Sequence, residues 1–520
     1  MATGPVNTGG SFSAKRHVWI TVFVTVIWVG LVIYTTSYHE VFRDEVRAWS
    51  LAKTASTAVD LYQVSKYDGH PVLWFFLLYI GTIFTNSPVI LPVISIMVAL
   101  AAVVIFMLYA PFPLWFRILF IFSGLPVYEY SVVARNYGIS MLLLFLVAHL
   151  YSKRKEHPLL LATLLALLAN TNIFALLISC LIFGLWLWSF WSERQKGIKP
   201  VSKRALISLS LIFFSGVVMS MLFIAPRENS NLVSEGIDLH IRNLVSVAIH
   251  SILRPDLSFN MFFSGWLPPF FRISLLYLVI IGLIGRPKLM VAAFTTQLFI
   301  GMFFRIFLVG SYRHEGIYLI FIVALYWMLL AEPERISRDL IRRNLMYAGL
   351  YIGLTLLVLS NTARGKFLVM SDIRGDFSSG KALGEFLNHD TAVKNAIIVA
   401  EPDFHMETLP YYADNLIYLP RERRFGNTVS WNYDSDSVLT LGGLLSSARE
   451  IRRNKSGPVL IVVGDPVRLG PAGEEILYPF QRKFSWTREE FIDFDTSTIL
   501  LRDFNKAYAY KENYRVYMLK

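Results

Sequence analysis

The residues that could do chemistry in this chain gather in short polar stretches between long apolar ones. The first stretch, roughly 37–74, reads SYHEVFRDEVRAWSLAKTASTAVDLYQVSKYDGHPVLW. It opens with an acidic pair, Asp44 and Glu45, and closes on Asp68-Gly69-His70-Pro71. A carboxylate at a membrane surface can act as a general base and take a proton from an incoming hydroxyl. It can equally bind a metal, or cap the helix that VRAWSLAK predicts. Adjacent side chains point in different directions, so one of the pair is expected to face a substrate and not both. Lys66 and His70 offer a cation and a hydrogen-bonding ring suited to a phosphate. A surface histidine ahead of a helix-starting proline is the plainer reading of His70.

Two further polar turns repeat the theme. YEYSVVARNYG places Glu129, Arg135, Asn136 and Tyr137 between two apolar runs. An arginine there is costly and is a functional-site hypothesis by default; an ion pair with Glu129 is the structural alternative. SYRHE carries Tyr312, Arg313, His314 and Glu315. Its Arg and His suit a phosphate or pyrophosphate leaving group, which needs charge-assisted donors, or they snorkel to lipid headgroups. The long segment 226–267 holds Arg227, Glu228, His240, Arg242, His250, Arg254 and Asp256. Within it, 239–253 predicts an amphipathic helix lying on the membrane. No HExxH spacing is present, so the sequence names no metal ligands, although a divalent cation is compatible with the carboxylates.

The elements that must position these groups are mostly membrane spans. The chain has 520 residues, of which 55% are hydrophobic and 17% charged. Apolar blocks near bilayer-spanning length fill 15–361, and composition turns to that of a soluble domain over 362–520. Eleven spans are predicted: 18–36, 88–109, 117–134, 137–152, 158–170, 173–191, 205–225, 268–285, 288–309, 317–331 and 344–361. Residues 72–85 are apolar but short, and are expected to lie half-buried on the outer face. The formal charge of +12 does not point to nucleic acid. Its Lys and Arg crowd into interhelical loops, which is the positive-inside pattern. That pattern puts residues 1–14, expected to be disordered, in the cytoplasm. It puts 37–87, 226–267 and the C-terminal domain outside. The first apolar run is of full spanning length with no small-x-small cleavage pattern, as in a retained signal-anchor. Cys180, alone, provides neither a disulfide framework nor a zinc site. In the C-terminal part, helices at 378–387, 405–412 and 441–453 alternate with strands at 396–400, 416–419, 459–464, 497–504 and 514–519. That alternation predicts an α/β layer with a largely parallel sheet. It contains neither GxGxxG nor a P-loop.

Taken together, these residues resemble the GT-C glycosyltransferases, in the branch of protein O-mannosyltransferases and aminoarabinose transferases. The likeness rests on Asp44-Glu45 in the first outer loop, on Asp68-Gly69-His70-Pro71, similar to that branch's HPP or KPP element, and on Ala134-Arg135-Asn136-Tyr137, similar to its Arg-x-Tyr pattern. It covers about 15–190 well and 200–361 in general architecture. The second proline of HPP is replaced by Val72, and the second acidic metal-binding motif of oligosaccharyltransferases has no counterpart, which leaves metal dependence open. The resemblance implies a transferase using a polyprenyl-phosphate-linked sugar on the outer face, with Asp44 in the place of the general base.

The expectation is therefore a membrane glycosyltransferase acting on an unidentified glycan, lipid or protein acceptor, by a single displacement that inverts the anomeric centre. Asp44 and Glu45 are its catalytic candidates. Lys66, His70, Arg135, Tyr137, Arg313 and His314 are its donor-phosphate candidates. A flippase for lipid-linked glycans is the rival; it predicts inverted repeats and mid-membrane charges, whereas here no repeat is evident and the charges fall at span ends. A scaffold needs far fewer spans. The short loops fit a bacterial inner membrane.

Overall fold

A computed structural model of the chain describes residues 9–195, 202–225, 241–263, 267–336, 339–375, 377–431, 435–478, 482–507 and 512–520. In chain order the helices are α1 (Gly9–Tyr38), α2 (Arg43–Thr54), α3 (Ala58–Ser65), α4 (Leu73–Phe84), α5 (Ile90–Tyr109), α6 (Leu114–Ile121), α7 (Tyr137–Tyr151) and α8 (Pro158–Ala169). Then come α9 (Ile173–Gln195), α10 (Lys203–Ile224), α11 (Ile241–Leu253), α12 (Pro255–Ser258), α13 (Pro269–Ile281), α14 (Pro287–Ile306), α15 (Tyr312–Leu330), α16 (Leu340–Tyr347) and α17 (Thr355–Arg374). Helix α1 begins inside the stretch expected to be disordered; residues 1–8 lie outside the described residues. The chain divides into two compact units, Met1–Ser37 with Ser95–Ser220 and Asp238–Leu368, and Tyr38–Ile94 with Met221–Ile237 and Val369–Lys520.

The first unit is a bundle of apolar helices. Among the described residues of the whole chain, seven helices are long and apolar enough to cross a membrane: Val18–Tyr38, Ile90–Tyr109, Ile173–Glu193, Lys203–Ile224, Pro287–Ile306, Tyr312–Leu330 and Leu340–Arg374. The protein is an integral, multi-pass membrane protein. The expected spans at 137–152, 158–170 and 268–285 are shorter apolar helices, as is Leu73–Phe84. Helix α15 is buried on all sides, whereas α1 and α10 expose large side chains such as Trp19, Phe23 and Leu211. A helix apolar all round is either enclosed by neighbours or faces lipid.

The expected span 117–134 is not one helix. Helix α6 stops at Ile121, and a π-helical turn at Leu125–Glu129 leads into the non-helical Tyr130–Asn136. Pro126 lacks an N–H and its ring obstructs the preceding turn. Gly124 meets Gly365 of α17 so closely that a Cβ on Gly365 would lie 2.2 Å from the Gly124 Cα. The Leu125 amide freed by the break donates to Asn361 Oδ1 at 3.1 Å. Irregular backbone at this depth is tolerated only where such partners are supplied. Its consequence is that Arg135 and Asn136 sit on a break rather than on a helix flank.

The second unit holds a six-stranded sheet in the order β3-β2-β1-β5-β9-β8, formed by β1 (Ile397–Glu401), β2 (Ile417–Leu419), β3 (Arg424–Phe425), β5 (Val459–Gly464), β8 (Thr498–Phe504) and β9 (Tyr514–Leu519). A three-stranded sheet joins β4 (Val438–Thr440), β7 (Lys483–Trp486) and β6 (Glu474–Leu477). The larger sheet was expected to be largely parallel and is mixed. β1 is parallel to β2 and β5, while β3, β8 and β9 are antiparallel to their neighbours. The reason is local: β8 and β9 follow one another without a crossover helix, as an antiparallel pair permits. Period-two alternation splits β1 and β5 between two cores. Ile398, Ala400, Leu460 and Val462 face one core, and Ile397, Val399, Ile461 and Val463 the other. The first is covered by α18 (Gly380–His389) and a 3-10 helix at Asp403–Tyr411. The second is covered by α19 (Leu441–Asn454) and α20 (Arg488–Ser497). Each large apolar side chain so buried stabilises the domain by about 1.5–3 kcal/mol.

Candidate functional site

Within the second unit the acidic pair begins α2, where negative charge favours a helix N-terminus. The two carboxylates have different surroundings. Glu45 is fully buried; its Oε2 accepts the Phe42 amide at 3.2 Å and contacts His39 Nε2 at 3.0 Å. Asp44 leaves 33% of its side chain exposed and pairs with Arg43 at 3.0 Å. Glu45 thus anchors the helix start, and Asp44 is the part-exposed member of the pair.

Buried charge fixes the rest of this loop. His39 Nδ1 meets Asp372 Oδ2 at 2.7 Å, so its ring bridges two carboxylates. Burial opposes protonation of His39, but the Asp372 and Glu45 charges and hydrogen bonds outweigh it and hold the imidazole well above its usual range. Glu40 Oε2 accepts the Phe377 and Ser378 amides, both at 2.8 Å; burial raises its carboxyl above the usual range. The Arg43 amide donates to Glu512 Oε1 at 3.3 Å, and Glu512 Oε2 accepts Ser378 Oγ at 2.6 Å. Burial pushes Glu512 up to about 7. Arg47, one turn after Asp44, donates to Asp68 at 2.7 Å, to Glu407 and to the Val429 carbonyl at 3.0 Å. Asp68 in turn contacts His70 Nδ1 at 2.9 Å. Burial works against the Asp68 charge, but His70 and Arg47 win and hold its carboxyl well below the usual range.

His70 therefore joins the α2 network through Asp68 and keeps 34% of its side chain exposed. Lys66 does not join it: its Nζ bonds Gln63 Oε1 at 2.7 Å and lies over the Tyr67 ring.

The remaining candidates sit in the first unit. Arg313 is buried and its Nε pairs with Glu129 Oε1 at 3.2 Å. The Glu129 considered as a partner for Arg135 thus bonds Arg313, and Tyr130 Oη reinforces the pair by donating to the Arg313 carbonyl at 2.7 Å. Arg135 is buried on the helix break, 9% exposed. Asn136 holds the break by donating to the Thr171 carbonyl at 2.6 Å. Tyr137 stacks on Tyr130 with centroids 5.8 Å apart, and the His314 ring meets Tyr137 at 5.7 Å. His314 Nδ1 also contacts Ser311 Oγ at 3.0 Å, closing the N-terminus of α15. His314 and the Arg313 carbonyl therefore both contact one buried tyrosine pair, Tyr130 and Tyr137. Glu315 accepts the Met261 and Phe262 amides at 2.9 and 3.2 Å and so fixes the end of the long loop. In that loop the expected amphipathic helix is α11. Arg227, Glu228 and His240 lie outside the described residues.

No family model matches the sequence and no curated protein matches it. Two solved structures align over nearly the whole chain. One is ArnT from Cupriavidus metallidurans bound to undecaprenyl phosphate, at 11% identity and TM-score 0.48, covering 96% of this chain and 98% of that one. The other is the same protein in the apo state, at 10% identity and TM-score 0.49, covering 97% and 98%. Similarity this shallow fixes neither chemistry nor substrate.

Sequence reasoning missed the residues that hold α2. His39 and Glu40 were visible as an ionisable pair just past a span, a signal in itself. Asp372, Glu407 and Glu512 carried none, being 333, 360 and 469 residues from their partners. Among the described residues, no group of three His, Cys, Asp or Glu is placed to hold a metal ion.

Proposed function

We propose that this protein is a membrane glycosyltransferase moving a sugar from a polyprenyl-phosphate-linked donor to an acceptor on the outer face of the membrane. The observation that carries this reading is Asp44: a part-exposed carboxylate on a helix whose first two turns are otherwise locked by buried ion pairs and hydrogen bonds. Such a group is held in place yet open to a ligand, as a general base requires. In the proposed step Asp44 takes the proton of an acceptor hydroxyl. That oxygen bonds the anomeric carbon while the bond from carbon to the phosphate oxygen breaks, and polyprenyl phosphate leaves with the electron pair. One base and one displacement invert the anomeric centre. The departing phosphate needs charge-assisted donors, for which His70, Arg135 and Arg313 are the candidates, with Lys66, Tyr137 and His314 beside them. In this reading residues 362–520 and the first outer loop lie in the periplasm of a bacterial inner membrane.

The test is sugar transfer in membranes containing wild-type protein or Asp44→Asn at equal, folded abundance, from a labelled polyprenyl-phosphate-sugar pool. Transfer is expected with wild type and to fall by about 10²–10⁴-fold in the variant, the usual contribution of a general base. Undiminished transfer in Asp44→Asn would remove Asp44 from the chemistry.

A further inference from the structure

A cavity of about 730 Å³ opens in the second unit between α18 and the end of β8. That volume suits a small-molecule site. Its walls are chiefly charged, hydroxyl and amide side chains interrupted by two aromatic rings, Phe386 and Phe504. Such a lining offers nothing to a prenyl chain, and no glycine-rich loop is there to cradle a nucleotide. Carboxylates and amides that grip adjacent hydroxyls, beside the flat apolar face of a ring, are the chemistry that recognises a sugar.

Which wall groups are already committed narrows the reading. Glu40 is taken by the Phe377 and Ser378 amides, Asp390 by the Ala392 amide, and Asp503 by Arg515 at 3.6 Å. Arg502 is held differently. Its guanidinium lies 5.6 Å from the Phe386 centroid and 5.5 Å from that of Phe504, so two rings orient it. Among the described residues no carboxylate pairs with Arg502 or Lys506, and no partner engages the Glu385 carboxylate. A pre-oriented donor fork and a free carboxylate thus face one cavity. The cavity is also tied to the acidic helix: Ser378, in its wall, bonds Glu512, which accepts the amide of Arg43 next to Asp44.

We infer that this cleft is a saccharide-binding subsite, with Arg502 and Glu385 as its hydrogen-bonding pair, and that it holds the glycan part of the acceptor. The assignment to the acceptor rests on the transferase reading; the binding of a saccharide does not. The test is therefore a binding measurement independent of transfer. The complete chain in nanodiscs free of glycolipid and sugar detergent is titrated with N,N′-diacetylchitobiose, digalacturonate and inorganic phosphate, and saturation-transfer NMR follows each probe. At least one saccharide is expected to bind saturably. Glu385→Gln and Arg502→Gln, both at exposed positions, are each expected to weaken it about tenfold, the scale of one charge-assisted hydrogen bond. Thermal unfolding reports whether the fold is intact. Asp44→Asn is expected to bind as wild type does, so a failed transfer assay and a failed subsite give different patterns. Binding of phosphate alone, no saturable saccharide signal, or binding indifferent to both substitutions would overturn the proposal.

Discussion

Asp44 and Glu45 are neighbours whose side chains carry different duties, and the difference comes from what each carboxylate touches. Glu45, His39 and Asp372 form a buried unit in which one imidazolium separates two acids. Removing the ring leaves two buried carboxylates without their cation, so His39→Ala should cost about 3–5 kcal/mol, measured by denaturant unfolding in detergent. The unit also fixes a pH dependence. The folded pKa of His39 is raised above its unfolded value. Its contribution is therefore fully present below about pH 6.5 and is lost as pH rises through the folded pKa. Glu512, raised to about 7 by burial, likewise contributes less stability as pH climbs from its unfolded value towards 7. Above about pH 6.5 the wild type should thus lose stability as pH rises, and His39→Gln should lack the part of that slope that His39 contributes. A slope unchanged in the variant would rule out the protonated bridge. At this scale the acidic pair was legible in the sequence, but the burial of Glu45 and the part-exposure of Asp44 were not, because they depend on residues hundreds of positions away that no local pattern exposes.

At the scale of elements, the apolar blocks were legible because length and hydropathy alone determine a spanning helix. The expected 173–191 falls within α9, and the expected 205–225 and 288–309 overlap α10 and α14 but run past their ends at 224 and 306. The strand at 459–464 was legible because a buried β-branched run has few other uses, and that at 514–519 because its aromatic and apolar residues suit a half-buried strand. The break at 122–136 was read only as a polar turn at 129–137, and its start at Gly124 and Pro126 was missed, since the partner that makes it possible, Gly365, is distant. This gives a second prediction. Gly365→Ala would drive a methyl into backbone atoms of Gly124, a contact that no side-chain rotation relieves, at a cost of about 1–3 kcal/mol; thermal melting in nanodiscs measures it. Gly184, with nothing near its missing Cβ, should accept alanine without loss of stability. Helix α2 provides a third case. Arg47 reaches Asp68 and Glu407 with different nitrogens of one planar fork, so Arg47→Lys should destabilise nearly as much as Arg47→Ala.

For the whole molecule, the positive-inside reading yields a direct check. In a Cys180→Ser background, single cysteines at Ser152, in a basic loop, and at Asn388, in the C-terminal domain, are expected to react with a membrane-impermeant maleimide from opposite sides. Labelling of both from one side, or of the Ser152 position from outside, would contradict the positive-inside reading and remove the proposed outer-face chemistry. Arg154 and Arg286, also from basic loops, both bind Glu332, with Arg286 at 2.7 Å. These basic-loop charges thereby tie the loop ends together.

The bonds from the first loop to distant residues bear on how the protein is made. Arg43 leaves the ribosome 469 residues before Glu512. At about 5–20 residues per second that is a wait of roughly half a minute to a minute and a half. His39 waits for Asp372, and Arg47 for Glu407, for shorter spells. During translation the segment carrying Asp44 therefore lies at the membrane surface without its anchors. An incomplete chain has the acidic residue but not the carboxylates that steady it, so the anchored form of α2 is complete only once residue 512 has been made.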